Sequence, residues 1–284
     1  MSQQPPTGPD FAAPGFAGCY RHPERVTGIT CQRCRRPICG ECMRPASVGF
    51  QCPDCVSAGR SRVPRSAFGA ALKPGGGTAT KVVMAALAVV WVLDLVSRGL
   101  ASGLLVMASD FVELGQFWRL LTAALLSGSL IGLLMNLLVL WLAGRALESE
   151  LGTWRFVVLY LAAGLGGSTV FFLFGPPGGA VITSGAAVIG LLAANAVGKL
   201  KNREDIRPDV GLLILIVLYS VLIGFRGLGW LSVLGGIAVG ALVGYILAYG
   251  PRRNRNARQA VGLLGVVLIC LVAVVVRILF WPIS

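Results

Sequence analysis

The chain has a single histidine, His22, in 284 residues, and only 12 acidic side chains against 25 basic ones, for a formal net charge of +13. Charged residues make up 13% and hydrophobic residues 55%. That balance excludes an ordinary soluble domain and a disordered chain alike, and points to a polytopic helical membrane protein with a small soluble part. With one imidazole, the rest of the chain has no second histidine to serve as a base, so a serine nucleophile elsewhere would lack its usual partner. Cysteine is nearly missing from the apolar part, where only Cys270 occurs, while the other seven lie between positions 19 and 55. Residues 1–18 have neither a basic start nor an apolar core. No cleavable signal peptide is therefore expected, and the stretch reads as a disordered N-terminus. The basic excess lies in the N-terminal segment and in short loops between apolar runs. Anchoring on an anionic cytoplasmic leaflet explains it, so membrane lipids rather than nucleic acid are the expected partner.

Residues 19–56 carry four pairs with one spacing: Cys19-x2-His22, Cys31-x2-Cys34, Cys39-x2-Cys42 and Cys52-x2-Cys55. A two-residue spacer lets a tight knuckle aim both side chains at one ion, and four ligands complete a tetrahedral shell. Eight ligands make two structural Zn²⁺ sites; a disulfide scaffold, or one zinc with spare thiols, is the alternative. The short gap between Cys34 and Cys39 suits an interleaved arrangement. Cys19, His22, Cys39 and Cys42 would then hold one ion, and Cys31, Cys34, Cys52 and Cys55 the other. This resembles a B-box-type zinc finger, which implies a cytosolic protein partner. Arg33, Arg35 and Arg36 beside the ligands read as a solvated basic face. Residues 57–81 read as a flexible basic linker, with Gly75 to Gly77 and Arg60, Arg62, Arg65 and Lys73 near the first span.

Seven apolar segments follow, at 82–100, 120–146, 153–174, 182–198, 210–225, 230–250 and 260–281. Each is close to the length that crosses a hydrocarbon core of about 30 Å. The second is longest and is expected to begin with a loop or short helix. Arg145 and Arg155 flank the loop after span two, Lys199, Lys201, Arg203 and Arg207 follow span four, and Arg252, Arg253, Arg255 and Arg258 follow span six. The opposite loops hold only Arg226. The positive-inside rule then predicts a multi-pass cell-membrane protein with a cytosolic N-terminus and an extracytoplasmic C-terminus. Small residues recur every fourth position at Ala186, Gly190, Ala194 and Gly198, and again at Gly236, Gly240 and Gly244, predicting close packing of spans four and six.

The run QFWRLLTAALLSGSLIGLLMNLLVLWLAGRALESELGTWRFVVLYLAAGLGGS at 116–168 is similar to the rhomboid family of intramembrane serine proteases. Trp118-Arg119 matches that family's loop pair, Asn136 its span-two oxyanion asparagine, and Glu148, Gly152, Trp154 and Arg155 its turn before span three. Residues 190–197 and 235–245 match its spans four and six. The resemblance covers 82–250 and implies an all-α polytopic membrane protein with a rhomboid-like six-helix core. Residues 251–284 add a basic loop and a seventh C-terminal span, as in larger bacterial members, and the small cytosolic zinc-binding module resembles that of actinobacterial ones.

The catalytic positions depart from the pattern. In place of Gly-x-Ser-Gly stands Ile182-Thr183-Ser184-Gly185, and an ungapped alignment puts Gly185, not Ser184, at the nucleophile. The base position is Val233, the span-two histidine position Gly132, the loop histidine position Ser127, and the aromatic that stacks on the base Ile189. Ser184 and Asn136 are left as vestigial candidates with no intact dyad. Lys199 and Lys201 lie at the far end of span four. Asp94 and Arg98, four apart, are expected to pair on one helix face, and Asn195 to bond across helices. The implied function is a non-catalytic pseudoprotease that binds single-span membrane-protein clients. The alternatives are an active endopeptidase using Ser184 and a metal- or redox-responsive membrane sensor.

Overall fold

The computed structural model describes residues 16–60, 77–224, 228–249 and 255–280. The chain divides between Pro64 and Arg65 into two units. The first is built of two hairpins, β1 (Ala17–Gly18) with β2 (Val26–Thr27) and β3 (Arg44–Pro45) with β4 (Phe50–Gln51), a 3-10 turn at Gly40–Cys42, and helix α1 (Pro53–Arg60). Its buried cluster is Ile38 with five cysteines, Cys19, Cys31, Cys39, Cys42 and Cys52. So small an apolar core cannot alone offset the entropy of ordering the chain. Ala17 and Gly18 lie in the stretch expected to be disordered; pairing with β2 orders them, and residues 1–15 lie outside the described ones. Of the expected linker, α1 takes in residues 57–60, and 61–76, with Arg62, Arg65 and Lys73, lie outside the described residues.

The second unit is helical: α2 (Thr78–Val96), α3 (Leu100–Leu105), α4 (Ser109–Glu113), α5 (Arg119–Thr122), α6 (Leu130–Val139), α7 (Arg145–Leu151), α8 (Thr153–Phe174), α9 (Ser184–Asn202), α10 (Arg207–Gly224), α11 (Trp230–Tyr249) and α12 (Arg255–Phe280). A π-helical turn at Leu140–Gly144 joins α6 to α7. Among the described residues, five helices are long and apolar enough to cross a membrane: α2, the continuous run Leu130–Leu151, α8, α11 and Ala257–Phe280. The other two apolar segments are α9, which ends in Lys199 and Lys201, and α10, which opens on Arg207 and Asp209. The basic residues 252 and 253, and Arg226, lie outside the described ones. The second apolar segment begins, as its length suggested, with the short α5, a 3-10 turn at Ala123–Leu125 and a loop.

Helix α8 is the centre, with nearly three quarters of its apolar window buried against 22% for α2. Helices α9 and α11 pack on it and on each other. A Cβ on Gly240 would lie 2.6 Å from the Gly190 Cα, one on Gly236 2.8 Å from the Ala186 carbonyl carbon, and one on Gly244 2.7 Å from the Ala194 Cα. Only glycine admits this approach, and the backbone contact replaces lipid by dense van der Waals packing. The pairs 186 with 236, 190 with 240 and 194 with 244 run in the same direction along both helices.

Charged groups inside this unit have exact partners in the backbone. Glu148, 2% exposed, accepts from the amides of Ala79 at 3.0 Å and Thr80 at 2.8 Å, and from the Thr80 hydroxyl at 2.9 Å. It therefore caps the N-terminus of α2, where orphan donors and the helix dipole favour an anion. Gly152 closes the turn into α8 at φ 83°, which strains any other residue. Arg119 donates to Gln116 at 2.7 Å and to the carbonyls of Gly103 and Val106. Arg155 donates to Gln259 at 2.9 Å, tying α8 to α12.

The expected Asp94–Arg98 pair does not form. Helix α2 ends at Val96, Arg98 takes a left-handed φ of 53°, and the chain turns back so that Asp94 accepts from the amide and hydroxyl of Ser102 at 2.6 and 2.5 Å. Asn195 does bond across helices: it donates to Asp209 on α10 at 3.3 Å, beside the 2.7 Å Lys199–Asp209 ion pair.

Candidate functional site

Two places bring chemistry-bearing residues together. In the membrane unit, α8 holds the segment before α6 by two hydrogen bonds, Tyr160 to the Ala124 carbonyl at 2.7 Å and Ser168 to the Leu120 carbonyl at 2.8 Å. Strand β5 (Met107–Ala108) pairs with β6 (Ala180–Val181), and the Thr183 amide donates to Ala123 at 3.0 Å. These contacts fix where α9 starts. Ser184 is its first residue, 2% exposed, and its Oγ accepts from Asn136 Nδ2 of α6 at 3.0 Å. Ser184 thus bonds to Asn136, and the Gly185 of the ungapped alignment is its neighbour there, a Cβ on it lying 4.0 Å from Asn136 Oδ1.

The position of the family base is Val233 on α11, 8% exposed. Because 236 lies against 186 and the helices run parallel, position 233 lies level with 183–184. Gly132, at the span-two histidine position, donates its amide to Ser129, the N-cap of α6, at 3.1 Å. Ser127 is buried and its hydroxyl has no hydrogen-bond partner among the described residues, and Ile189 is buried. Lys199 is engaged with Asp209, and Lys201 with the Ala248 carbonyl, at the end of α9 remote from Ser184.

The second place is the N-terminal unit. Cys19, His22, Cys39 and Cys42 have ligand atoms within 4.8 Å of one another, and so do Cys31, Cys34, Cys52 and Cys55. His22 Nδ1 stands 3.3 Å from Cys39 Sγ and 3.5 Å from Cys42 Sγ, and Cys34 Sγ 3.8 Å from Cys52 Sγ. A tetrahedral ion with bonds of about 2.3 Å to sulfur and about 2.0 Å to nitrogen has edges of about 3.8 Å between sulfurs and about 3.5 Å between nitrogen and sulfur. The spacing fits a four-coordinate metal in each set.

The thiols are prepared for a cation. Burial alone would raise the Cys19 thiol, but the amides of Arg21, Cys39 and His22 bring it down to about 6. Cys31, likewise opposed by burial, comes down to about 6 through the amides of Cys34, Cys52 and Arg33. At the other extreme, burial and then Cys19 and Cys39 push Cys42 up to about 11, and contact with Cys52 and burial push Cys55 up to about 12. Each set pairs a thiol that ionises readily with one that resists while its neighbours are charged, a repulsion that a divalent cation relieves. Both shells are filled by protein, so they leave no open coordination position.

Residues 114–250 match the family described as Rhomboid domain. Those residues are similar to a rhomboid domain. Over 118 residues the chain is 35% identical to the Rhomboid protease GluP of Bacillus subtilis (strain 168), covering 41% of this chain and 23% of that protein. It is 33% identical over 146 residues to RHOMBOID-like protein 5 of Arabidopsis thaliana, covering 50% of this chain and 47% of the relative. With RHOMBOID-like protein 4 of the same plant it shares 35% over 151 residues, 50% of this chain and 38% of the relative. The chain thus spans from about a quarter to about half of the length of these relatives. The matches and the apolar helices support a rhomboid-family, multi-pass membrane protein.

Sequence reasoning did not find the role of Glu148 as the cap of α2, the pins from Tyr160 and Ser168, or the Arg155–Gln259 tie. Only Glu148 and Arg155 carried a signal, as part of the turn before span three that resembles the rhomboid pattern.

Proposed function

We propose that this protein is a rhomboid pseudoprotease. It holds single-span membrane proteins by the rhomboid body without cutting them, and presents a two-zinc module to a cytosolic protein partner. One observation carries the reading: Ser184 has Asn136 at its hydroxyl, while the level of the base on α11 is filled by the aliphatic Val233. His22, the chain's one imidazole, stands among three thiols in the other unit. A serine without a base loses several orders of magnitude in rate.

Zinc suits the two sets because thiolate-rich, closed tetrahedral shells of this size favour it. Bound there, it supplies folding energy rather than chemistry. The orientation follows from charge. Lys199, Arg203 and Arg207 gather at the end of α9, opposite the uncharged Gly175–Gly179 loop, and this asymmetry supports an N-terminal unit on the reducing, cytosolic side.

The test is labelling of purified protein by a fluorophosphonate. The pseudoprotease reading expects no labelling beyond that of Ser184→Ala. The contact of Asn136 with Ser184 favours a second reading, an endopeptidase with Ser184 as nucleophile, and labelling that vanishes in Ser184→Ala would establish it.

A further inference from the structure

The metal module carries a surface that neither ligand set uses. The turn between β3 and β4 closes with the Ala46 amide donating to the Gly49 carbonyl at 3.0 Å. At this tip Val48 is 78% exposed and Phe50 40%, in a unit whose buried cluster holds no apolar side chain besides Ile38 and the cysteines. Arg44 pairs in register with Gln51, next to Phe50. The Gln32 amide donates to the Phe50 carbonyl at 3.0 Å, which sets the Cys31–Cys34 knuckle and its Arg33 and Arg35 beside the same hairpin. Arg33, Arg35 and Arg44 are all exposed.

The acids of residues 16–60 are Glu24, Glu41 and Asp54. Glu41 pairs with Arg25, and Asp54 with Arg21. Among the described residues no ion pair joins Glu24 or another acid to Arg33, Arg35 or Arg44, and Arg33 donates to the Cys55 carbonyl at 3.1 Å. Every cationic side chain in 16–60 other than His22 is arginine, the side chain whose planar fork matches phosphate oxygens. An apolar tip ringed by arginine is the composition of an interfacial anchor. The chain supplies the surface as well. Sixteen residues separate Arg60 from Gly77, where the first membrane helix begins, and they reach about 60 Å at full extension. A bilayer is thus within the reach of that tether.

We infer that the β3–β4 hairpin docks on anionic lipid, with Val48 and Phe50 entering the boundary between headgroups and acyl chains and Arg33, Arg35 and Arg44 meeting lipid phosphates. The inference rests on the metal reading in one respect, that the hairpin is ordered by the ligand-bearing loops.

The test uses the full chain in nanodiscs, with a coumarin amino acid in place of Val48 and a doxyl-labelled lipid as quencher. One set of discs is phosphatidylcholine alone, and the other contains 30 mol% phosphatidylglycerol. Metal content is measured on the same samples. Quenching is expected in the anionic discs and little in the neutral ones. Each arginine near such a surface is worth about a fivefold gain in partitioning, so R35Q/R44Q should lower the ratio of docked to free module about twenty-fivefold. Absence of quenching in anionic discs at two metals per chain overturns the inference. So does equal quenching in both discs, or a response to added polyuridylate in place of lipid, which assigns the surface to nucleic acid. Loss of metal in R35Q/R44Q assigns these arginines to the metal centres and overturns it as well. Failure of the parent chain to bind metal instead strikes the two-zinc reading, separately from this one.

Discussion

Replacing Glu148 by alanine removes the acceptor of two backbone amides and one hydroxyl at the start of α2, and that of the Thr153 hydroxyl at 3.2 Å. Ala79 and Thr80 are 3% and 1% exposed, so water cannot easily replace the carboxylate. Each buried donor left unpaired costs about 1–3 kcal/mol. Three such donors, part of whose cost relaxation recovers, give about 3–5 kcal/mol, in the range of broken buried networks. For a unit of this size about 1 kcal/mol moves the midpoint by roughly 2–4 °C. Glu148→Ala should therefore melt about 6–20 °C below the parent in detergent, followed by intrinsic fluorescence or thiol reactivity of Cys270. Glu148→Gln keeps one acceptor oxygen and should fall between. A midpoint within about 2 °C of the parent for Glu148→Ala would refute the capping account.

Gly240→Val sets a branched side chain against the Gly190 backbone, which has no flexible end to move away. A loss of at least about 3 kcal/mol is expected, against less than about 1 kcal/mol for Gly265→Val, where a Cβ meets nothing within 4 Å; thermal melts compare them. Chelation with EDTA and a stronger zinc ligand should unfold the N-terminal unit alone, read as new protease cuts within 16–60 while α8 stays protected. A coincident loss of the membrane unit would instead support the sensor reading. Acidification acts in the same direction. The lowered thiols Cys19 and Cys31 stabilise the folded module above their ordinary range, and that contribution is lost as pH falls through about 6. Protons also displace metal from thiolate, so metal release should rise as pH falls towards 5. Lys199→Ala leaves Asp209, whose side chain is 13% exposed, with Asn195 alone, and should loosen α10 by about 1–3 kcal/mol, seen as faster hydrogen exchange in 207–218.

What the sequence made legible was periodic or local. The two-residue spacing of the ligand pairs, and the four-residue spacing of small residues, each imply one geometry. In the structure each ligand set gathers within 4.8 Å, and Gly240 lies on Gly190. The pairing of Ser184 with Asn136 was half legible. The alignment needed a one-residue shift, and where α9 begins is set by β5–β6 and the Thr183–Ala123 bond, contacts across more than 50 residues of chain. The Asp94–Arg98 expectation failed for a related reason: a helical spacing argument holds only while the helix lasts, and α2 stops at Val96. The π-helical turn at Leu140–Gly144 left no mark in composition. Yet Gly144 lies against Thr80 there, one turn before Glu148 caps the same residue.

The central proposal is that this rhomboid-like body lacks proteolysis, and reconstitution with a single-span rhomboid substrate tests it most directly. Purified, metal-loaded protein and its Ser184→Ala variant are placed in liposomes with the substrate, and products are read by mass spectrometry. The account predicts no cleavage by either protein while a catalytically active rhomboid cuts the same substrate. Cleavage by the parent that Ser184→Ala abolishes would contradict it and require a base that Val233 does not supply.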